Sequence, residues 1–261
     1  MASAIIGGLL RQGWSAQHIH VVEPWEEQRQ RLAQEWQIQA TSTAETAKLS
    51  DCELVIWAIK PQSFAEAANQ SRPYLQAQTL HLSVAAGIRS DTIANWLQTE
   101  RIVRAMPNTP ALIGLGVTGL YARPTVALVE RTQITEILNP TGQTLWVEAE
   151  TQLDAVTAMS GSGPAYVFYF LEAMTEAGCT LGLSPAQAYA LAVGTFVGAS
   201  SLARDSSDTP AILRQRVTSK GGTTYAALTH LESTAVASHF KEAIHAAAKR
   251  ASELGDEFGK I

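Results

Sequence analysis

Residues 54–59 read Leu-Val-Ile-Trp-Ala-Ile and are followed at once by Lys60, Pro61 and Gln62. A short run of apolar residues, ended by a charge and a proline, has the length of a strand buried on both faces; a half-exposed strand would alternate. Strands of that kind belong to parallel sheets covered by helices. The pattern recurs outward from this stretch. Residues 80–84 (LHLSV) and 101–106 (RIVRAM) are two further strands, separated by a helix that Ser90 and Asp91 open. Upstream, residues 18–23 (HIHVVE) read as a strand followed by a charged helix over 25–37. Strand and helix alternate through the first half, so the fold class is α/β with a doubly wound sheet.

After about Thr151 strand-like runs vanish and Ala-rich helical segments take over. Ser184-Pro185-Ala186-Gln187 is a capping box with proline at the first helical position, and Thr209-Pro210 repeats the signal. Residues 165–174 (AYVFYFLEAM) are apolar nearly all round except Glu172, so the helix they form must be covered on several sides. A subunit interface is expected there, with a central core helix as the simpler reading. The expected domains are 1–150, an α/β domain with an incomplete sheet, and 151–261, an all-α domain.

With 46% hydrophobic and 16% charged residues in 261, the chain has room for two domains with buried cores. A net charge of −5 and the absence of a Lys/Arg run argue against nucleic acid as a partner. Cys52 and Cys179 stand alone, with no CxxC pair and no flanking His cluster, so neither a disulfide framework nor a metal site is expected and the thiols read as reduced and cytoplasmic. Apolar stretches are broken by Gly, Glu or Arg short of a membrane span, and no membrane association is expected.

The N-terminus departs from the doubly wound plan. In a nucleotide-binding sheet the first strand is central, and the glycine turn after it lets a diphosphate approach a helix N-terminus. This chain opens on Met1-Ala2-Ser3-Ala4-Ile5-Ile6-Gly7-Gly8, a helix that Gly13 stops. Gly7 and Gly8 each cost about 1 kcal/mol relative to Ala inside a helix, which calls for a packing reason such as close approach to the sheet. A strand of about six residues and its glycine turn are therefore expected to be missing before Met1, through a late-assigned gene start or a truncation. A fold that simply begins with a helix is the alternative.

The candidate site residues lie mostly at strand ends. Glu23 ends the 18–23 run where a carboxylate meets adenosine ribose hydroxyls, while Arg29 and Arg31 follow where a cation answers a 2′-phosphate. Lys60, before Pro61, sits at the carboxyl end of a buried strand, and residues 83–88 (SVAAGI) end the next one in small side chains that let a flat ring approach the backbone. In residues 104–111 (RAMPNTPA) two prolines bracket Asn108 and Thr109 in a rigid turn. Residues 159–164 (MSGSGP) and 217–224 (VTSKGGTT) open helices with hydroxyls and glycines, where N–H groups suit an anion such as a carboxylate. Plain helix capping is the other reading of both.

Taken in order, SAIIGGLL, WAIKPQ, SVAAGI, RAMPNTPA, AMSGSGPAYVF and VTSKGGTT resemble the successive motifs of pyrroline-5-carboxylate reductases, from Met1 to about Thr224. That family begins with a strand and a turn ending in Gly-Asn-Met, so Met1 resembles the internal Met. The resemblance implies a Rossmann-type domain, a helical domain that interlocks with a second subunit in a homodimer or a ring of dimers, and NADPH or NADH as cofactor. It implies cofactor contacts from Met1, Ala2, Glu23, Ala58, Ile59, Lys60, Pro61, Val84, Ala85, Ala86, Gly87 and Asn108. It implies a cyclic imine acid as substrate, bound by Ser219, Gly221, Gly222, Thr223 and Thr224, with the backbone N–H groups of Gly221, Gly222 and Thr223 on the carboxylate. Thr224 is the catalytic candidate, its hydroxyl facing the ring nitrogen. Two alternatives stand beside this. Hydroxyacid dehydrogenases share the two-domain plan but place a catalytic Lys in the interdomain helix, and residues 161–172 hold neither Lys nor Asn. A chain without the glycine loop also reads as a dimeric binding or regulatory module.

Overall fold

The computed structural model describes residues 1–259 and divides them into two compact units, residues 1–162 with 247–259, and residues 163–246. In the first unit, α1 (Ala2–Arg11) buries Ile5 and Leu9 against the sheet and Ile6 against Leu32 and Ile38, and is stopped by Gly13 at φ +90°. Helix α2 (Glu26–Trp36) carries Glu26 and Glu27 in its first turn, matching the positive end of the helix dipole, and ends at Gln37 in the left-handed region. There follow β1 (Leu54–Trp57), α3 (Phe64–Ser71), β2 (Leu80–Ser83), α4 (Ser90–Leu97), β3 (Ile102–Met106), β4 (Gly116–Ala122), α5 (Leu128–Leu138), β5 (Gly142–Trp146) and α6 (Gln152–Val156).

The strands pair in the order β1-β2-β3-β4-β5. The first three run parallel, β4 is antiparallel to β3, and β5 runs parallel to β4. Period-two alternation sorts the side chains to two faces. Leu80, Leu82, Val103, Ala105 and Leu120 pack with Ile5 and Leu9 of α1 and Ile134 and Leu138 of α5. On the other face Trp57, Ala85, Ile88 and Ile102 pack with Phe64 and Ala68 of α3 and Ile93, Ala94 and Leu97 of α4. Helices thus cover both faces of a largely parallel sheet, as the continuous apolar runs require.

Three features differ from the sequence reading. Residues 18–23 are not a sheet strand. A 3-10 turn occupies Ala16–His18, and the extended part forms a single parallel bridge, Val22 to Thr41, closed by Thr41 N–H to Val21 O (2.9 Å) and Glu23 N–H to Thr41 O (2.8 Å). One partner residue does not make a ladder, whatever the local propensity. Second, β1 ends at Trp57 rather than Ile59, so Ala58 and Ile59 already belong to the loop. Third, β4 and β5 have no counterpart in the sequence reading, which named no strand after residue 106. Their glycines mark close approach: a Cβ on Gly119 would lie 2.6 Å from Val156 of α6, and one on Gly142 (φ +130°) 2.1 Å from the Gly116 oxygen. The cost of Gly8 has a similar cause, since its Cβ would lie 2.6 Å from Pro140 Cβ, in the turn before β5.

The second unit is all-α: α7 (Gly163–Thr180), α8 (Pro185–Asp205), α9 (Pro210–Arg216), α10 (Thr223–Ser233) and the start of α11 (Val236–Phe258). The capping box forms as the sequence indicates, with Gln187 N–H donating to Ser184 Oγ (3.3 Å) and Ser184 N–H to Gln187 Oε1 (2.9 Å). Helices α7 and α8 approach closely at Gly178, whose Cβ would lie 2.7 Å from Ala188 Cβ. Large apolar side chains on both stay open, Tyr169 at 68% and Leu202 at 71% exposure. By length and composition alone α8 is apolar enough to cross a membrane, a property the sequence reading assigned to no stretch.

Candidate active site

Because β1, β2 and β3 are parallel, their carboxyl ends open onto one edge of the sheet, where open α/β folds bind ligands. At the end of β1, Ala58 and Ile59 are half-buried and the exposed Lys60 caps the 3-10 turn Pro61–Ser63, with Ser63 N–H bonded to Lys60 O at 3.0 Å. At the end of β2, Val84 N–H still bonds Trp57 O (3.2 Å) and Ala85 N–H donates to Ser83 Oγ (3.3 Å). The chain then turns through the exposed Ala86 and the half-buried Gly87, the latter at φ +75°, a conformation that favours glycine. Residues 84–87 themselves carry no side chain larger than Val.

Helix α1 starts without a side-chain cap. Its first bonds are Ala4 N–H and Ile5 N–H to Met1 O, so the Ala2 and Ser3 amides lie ahead of the helix's own ladder. Such a start suits a phosphate. Glu23 Oε1 accepts from Trp25 N–H at 2.9 Å, which folds the carboxylate over the turn before α2. Arg29 Nη1 donates to Glu23 O (2.8 Å) and Pro24 O (2.6 Å), placing a guanidinium at that same turn. Arg31 does not share it, being paired with Glu35 at 2.8 Å.

Asn108, at the end of β3, brackets three segments: its Nδ2 donates to Ser160 O (3.1 Å) and its Oδ1 accepts from Val117 N–H (3.0 Å). The MSGSGP segment begins as a π-helical turn, Thr157–Gly161, closed by Ser162 N–H to Thr157 O (2.8 Å). A Cβ on Gly161 would meet Met106 Cε at 2.5 Å, so this glycine admits the last side chain of β3. π-turns of this kind are frequent at functional sites.

Sequence reasoning missed the ionic cluster beneath these loops. Arg104, buried in β3, pairs with Glu150 at 2.7 Å, and the same carboxylate caps α4 by accepting from Ser90 N–H (2.5 Å) and Ser90 Oγ (2.6 Å). Arg123 joins through Ser90 Oγ (3.2 Å) and pairs with Asp91 and Glu100. Burial raises the carboxyl of the neighbouring Asp154, against the lowering effect of Arg89 and Arg104. The available signal was a charged residue inside the apolar strand RIVRAM, which demands a partner.

In the helical unit, residues 219–222 form a tight turn with Gly221 at φ +75°. Gly222 N–H donates to Ser219 O at 3.0 Å, which corrects the expectation that this amide holds a carboxylate: the turn already uses it. Gly222 is also the uncapped N-cap of α10, and a Cβ there would lie 2.6 Å from Ser219 Oγ. The Thr223 and Thr224 amides stand at the open end of that helix.

A sheet covered on both faces, with small-residue turns at its carboxyl edge and an open helix start on α1, is the plan of a nicotinamide-dinucleotide oxidoreductase. The donor set fits that cofactor: free amides for a diphosphate, a carboxylate and a guanidinium for the adenosine ribose, and bare backbone for a flat ring.

Comparison with known proteins narrows the class. The sequence family described as NADP oxidoreductase, coenzyme F420-dependent, matches residues 1–87, and that described as pyrroline-5-carboxylate reductase dimerisation matches residues 150–254. Pyrroline-5-carboxylate reductase of Pseudomonas aeruginosa is 40% identical over 261 residues, covering 100% of this chain and 95% of that protein. The solved reductase of Coxiella burnetii superposes with a TM-score of 0.91 at 34% identity, over 97% of this chain and 94% of that one. The reductase of Plasmodium falciparum, solved with NADP bound, gives 0.84 at 26% identity over 97% and 94%. The chain belongs to the pyrroline-5-carboxylate reductase family.

Proposed function

We propose that this chain reduces 1-pyrroline-5-carboxylate to L-proline with NADPH, as a homodimer. Family membership along the whole chain carries the reading. The Arg29 guanidinium beside the Glu23 turn supports NADPH over NADH, because a 2′-phosphate there gains a charge-assisted partner. The exposed apolar faces of α7 and α8 support burial against a second copy, and rings of such dimers are the larger assembly we infer. The two free cysteines support a cytoplasmic setting.

When bound, NADPH supplies the hydride that the imine carbon accepts. In this reading the Ala2 amide and the Met1 amino group take the diphosphate, and Glu23 and Arg29 the adenosine ribose. Ala58, Ile59, Lys60 and Pro61 with Val84, Ala85, Ala86 and Gly87 flank the nicotinamide half, and Asn108 holds the β3 turn behind it. The unit of residues 1–162 and 247–259 serves as the nucleotide domain and that of residues 163–246 as the substrate and dimerisation domain, so the expected boundary at 150 moves and the end of α11 goes with the nucleotide side. The amides of Gly221, Thr223 and Thr224 hold the substrate carboxylate, with Ser219 and Gly222 shaping the turn. The Thr224 hydroxyl faces the ring nitrogen, its oxygen accepting from the N–H of the protonated imine and its O–H donating to the lone pair that forms as hydride arrives. A hydroxyl is too weak an acid to protonate an amine at neutral pH, so it orients the ring and stabilises charge while the proton arrives on the already protonated imine. Holding two reactants in register supplies several kcal/mol of the barrier lowering.

The experiment is an assay of both nucleotides with pyrroline-5-carboxylate, on wild type and Thr224→Ala. Loss of one transition-state hydrogen bond is expected to lower kcat by about 10- to 100-fold, with NADPH affinity within about twofold. Full activity in the variant removes Thr224 from the mechanism, and absence of turnover with either nucleotide in wild type refutes the reading.

A further inference from the structure

The last turns of α11 belong to the nucleotide unit and press on the turn that follows β2. A Cβ added to Gly87 would lie 3.1 Å from Phe258 Cδ2, 3.2 Å from Phe258 Cε2 and 3.3 Å from Leu254 Cβ. The aromatic ring therefore rests on bare backbone at the tip of the turn. One helical turn earlier, Gly255 is buried, and a Cβ there would come within 3.2 Å of the Arg89 guanidinium. That glycine lets Arg89 lie across the helix, where its Nη2 donates to Asp256 Oδ1 at 2.8 Å and reaches Ser252 O at 3.5 Å. Phe258 packs onto the same core cluster as Trp57, Ala85 and Ile88. One glycine on each element admits the contact, and a ring and an ion pair fix it.

The turn needs such support. Val84, Ala85, Ala86 and Gly87 offer little side chain with which to anchor themselves, and the small residues that let a ring approach also leave the backbone free to move. We propose that the end of α11 is a latch, in which Phe258 and the Arg89–Asp256 pair act as positioning residues that hold residues 84–87 ready for the nicotinamide half of the cofactor. The inference rests on the nucleotide reading of that turn. Without the latch the turn must be ordered by the cofactor itself, which lowers affinity for the nucleotide and not for the imine acid.

The test compares wild type, Phe258→Ala, Phe258→Tyr and Asp256→Asn. It reads amide hydrogen exchange of residues 85–89 without cofactor, NADPH affinity by fluorescence titration, and steady-state kinetics. Phe258→Ala is expected to speed exchange in the turn and to raise the NADPH Kd about 5- to 10-fold, leaving the KM for pyrroline-5-carboxylate and kcat at saturating NADPH within about twofold. Phe258→Tyr restores wild-type values. Asp256→Asn, on an exposed carboxylate whose loss spares the fold, raises Kd by about two- to threefold. Unchanged NADPH affinity in both Phe258→Ala and Asp256→Asn overturns the latch, as does a loss shared equally by nucleotide affinity, substrate KM and thermal stability. A wild-type protein that binds no NADPH sinks the nucleotide reading and the latch together.

Discussion

His81 sits in the middle of β2, 2% exposed, and its Nδ1 accepts the indole N–H of Trp57 at 3.2 Å. Burial, and secondarily the Arg101 charge, pushes its pKa from an ordinary 6.5 down to about 4. The imidazole is therefore neutral in the fold, and protonation would break an acceptor role as well as bury a charge. Between these two values the unfolded chain binds a proton that the folded chain does not. Stability from this residue is thus complete above pH 6.5 and is lost as pH falls toward about 4, at about 1.4 kcal/mol per pH unit. Roughly two and a half factors of ten in proton affinity give a total of about 3 kcal/mol. The assay is urea unfolding at fixed protein concentration, at about pH 7 and about pH 5, on wild type and on His81→Gln, which keeps an acceptor for Trp57 but cannot titrate. Carboxylates titrate alike in both proteins and cancel in the difference. His81→Gln is expected to be less stable at neutral pH and to lose about 2 kcal/mol less than wild type over that interval. Parallel losses in the two proteins, or protonation of His81 near pH 6.5 seen by NMR, would refute the reasoning.

The paired glycines of α1 separate propensity from packing. Gly7→Ala meets Arg11 and Trp36 at an ordinary 3.4 Å, so about 0.5–1 kcal/mol of stabilisation is expected, whereas Gly8→Ala drives a methyl into Pro140 and should destabilise by about 1–3 kcal/mol; thermal unfolding of both reads the sign. Glu150→Ala leaves the buried Arg104 unpaired and α4 uncapped, and should cost about 3–5 kcal/mol in urea unfolding; a change below 1 kcal/mol would mean the cluster is solvated. Arg29→Ala should weaken NADPH by about 10-fold or more while moving NADH less than about twofold, and equal effects on the two nucleotides would place the 2′-phosphate elsewhere.

Much of the candidate site could be read along the chain because its signals are local. The small residues after β2, the prolines around Asn108 and the glycine pair before α10 all announce backbone that must turn, and the structure finds each turn where the motif lies. What those turns do with their polar groups was not legible. Gly222 N–H goes to Ser219 and the Asn108 amide to Ser160 and Val117, choices that depend on where neighbouring backbone passes. Arg104 advertised a need for a partner without naming Glu150, which is 46 residues away in sequence.

Residue order alone determined the alternation of buried strands and helices, the change to helices near Thr151 and the caps at Ser184 and Thr209. Each of these follows from burial on both faces or from hydrogen bonds within a few residues. Only tertiary structure decided that residues 18–23 bridge at one point instead of forming a strand, that residues 116–122 and 142–146 complete the sheet, and that Phe258 returns to Gly87. Pairing and close contact need a second segment, and local sequence carries no record of which distant segment arrives.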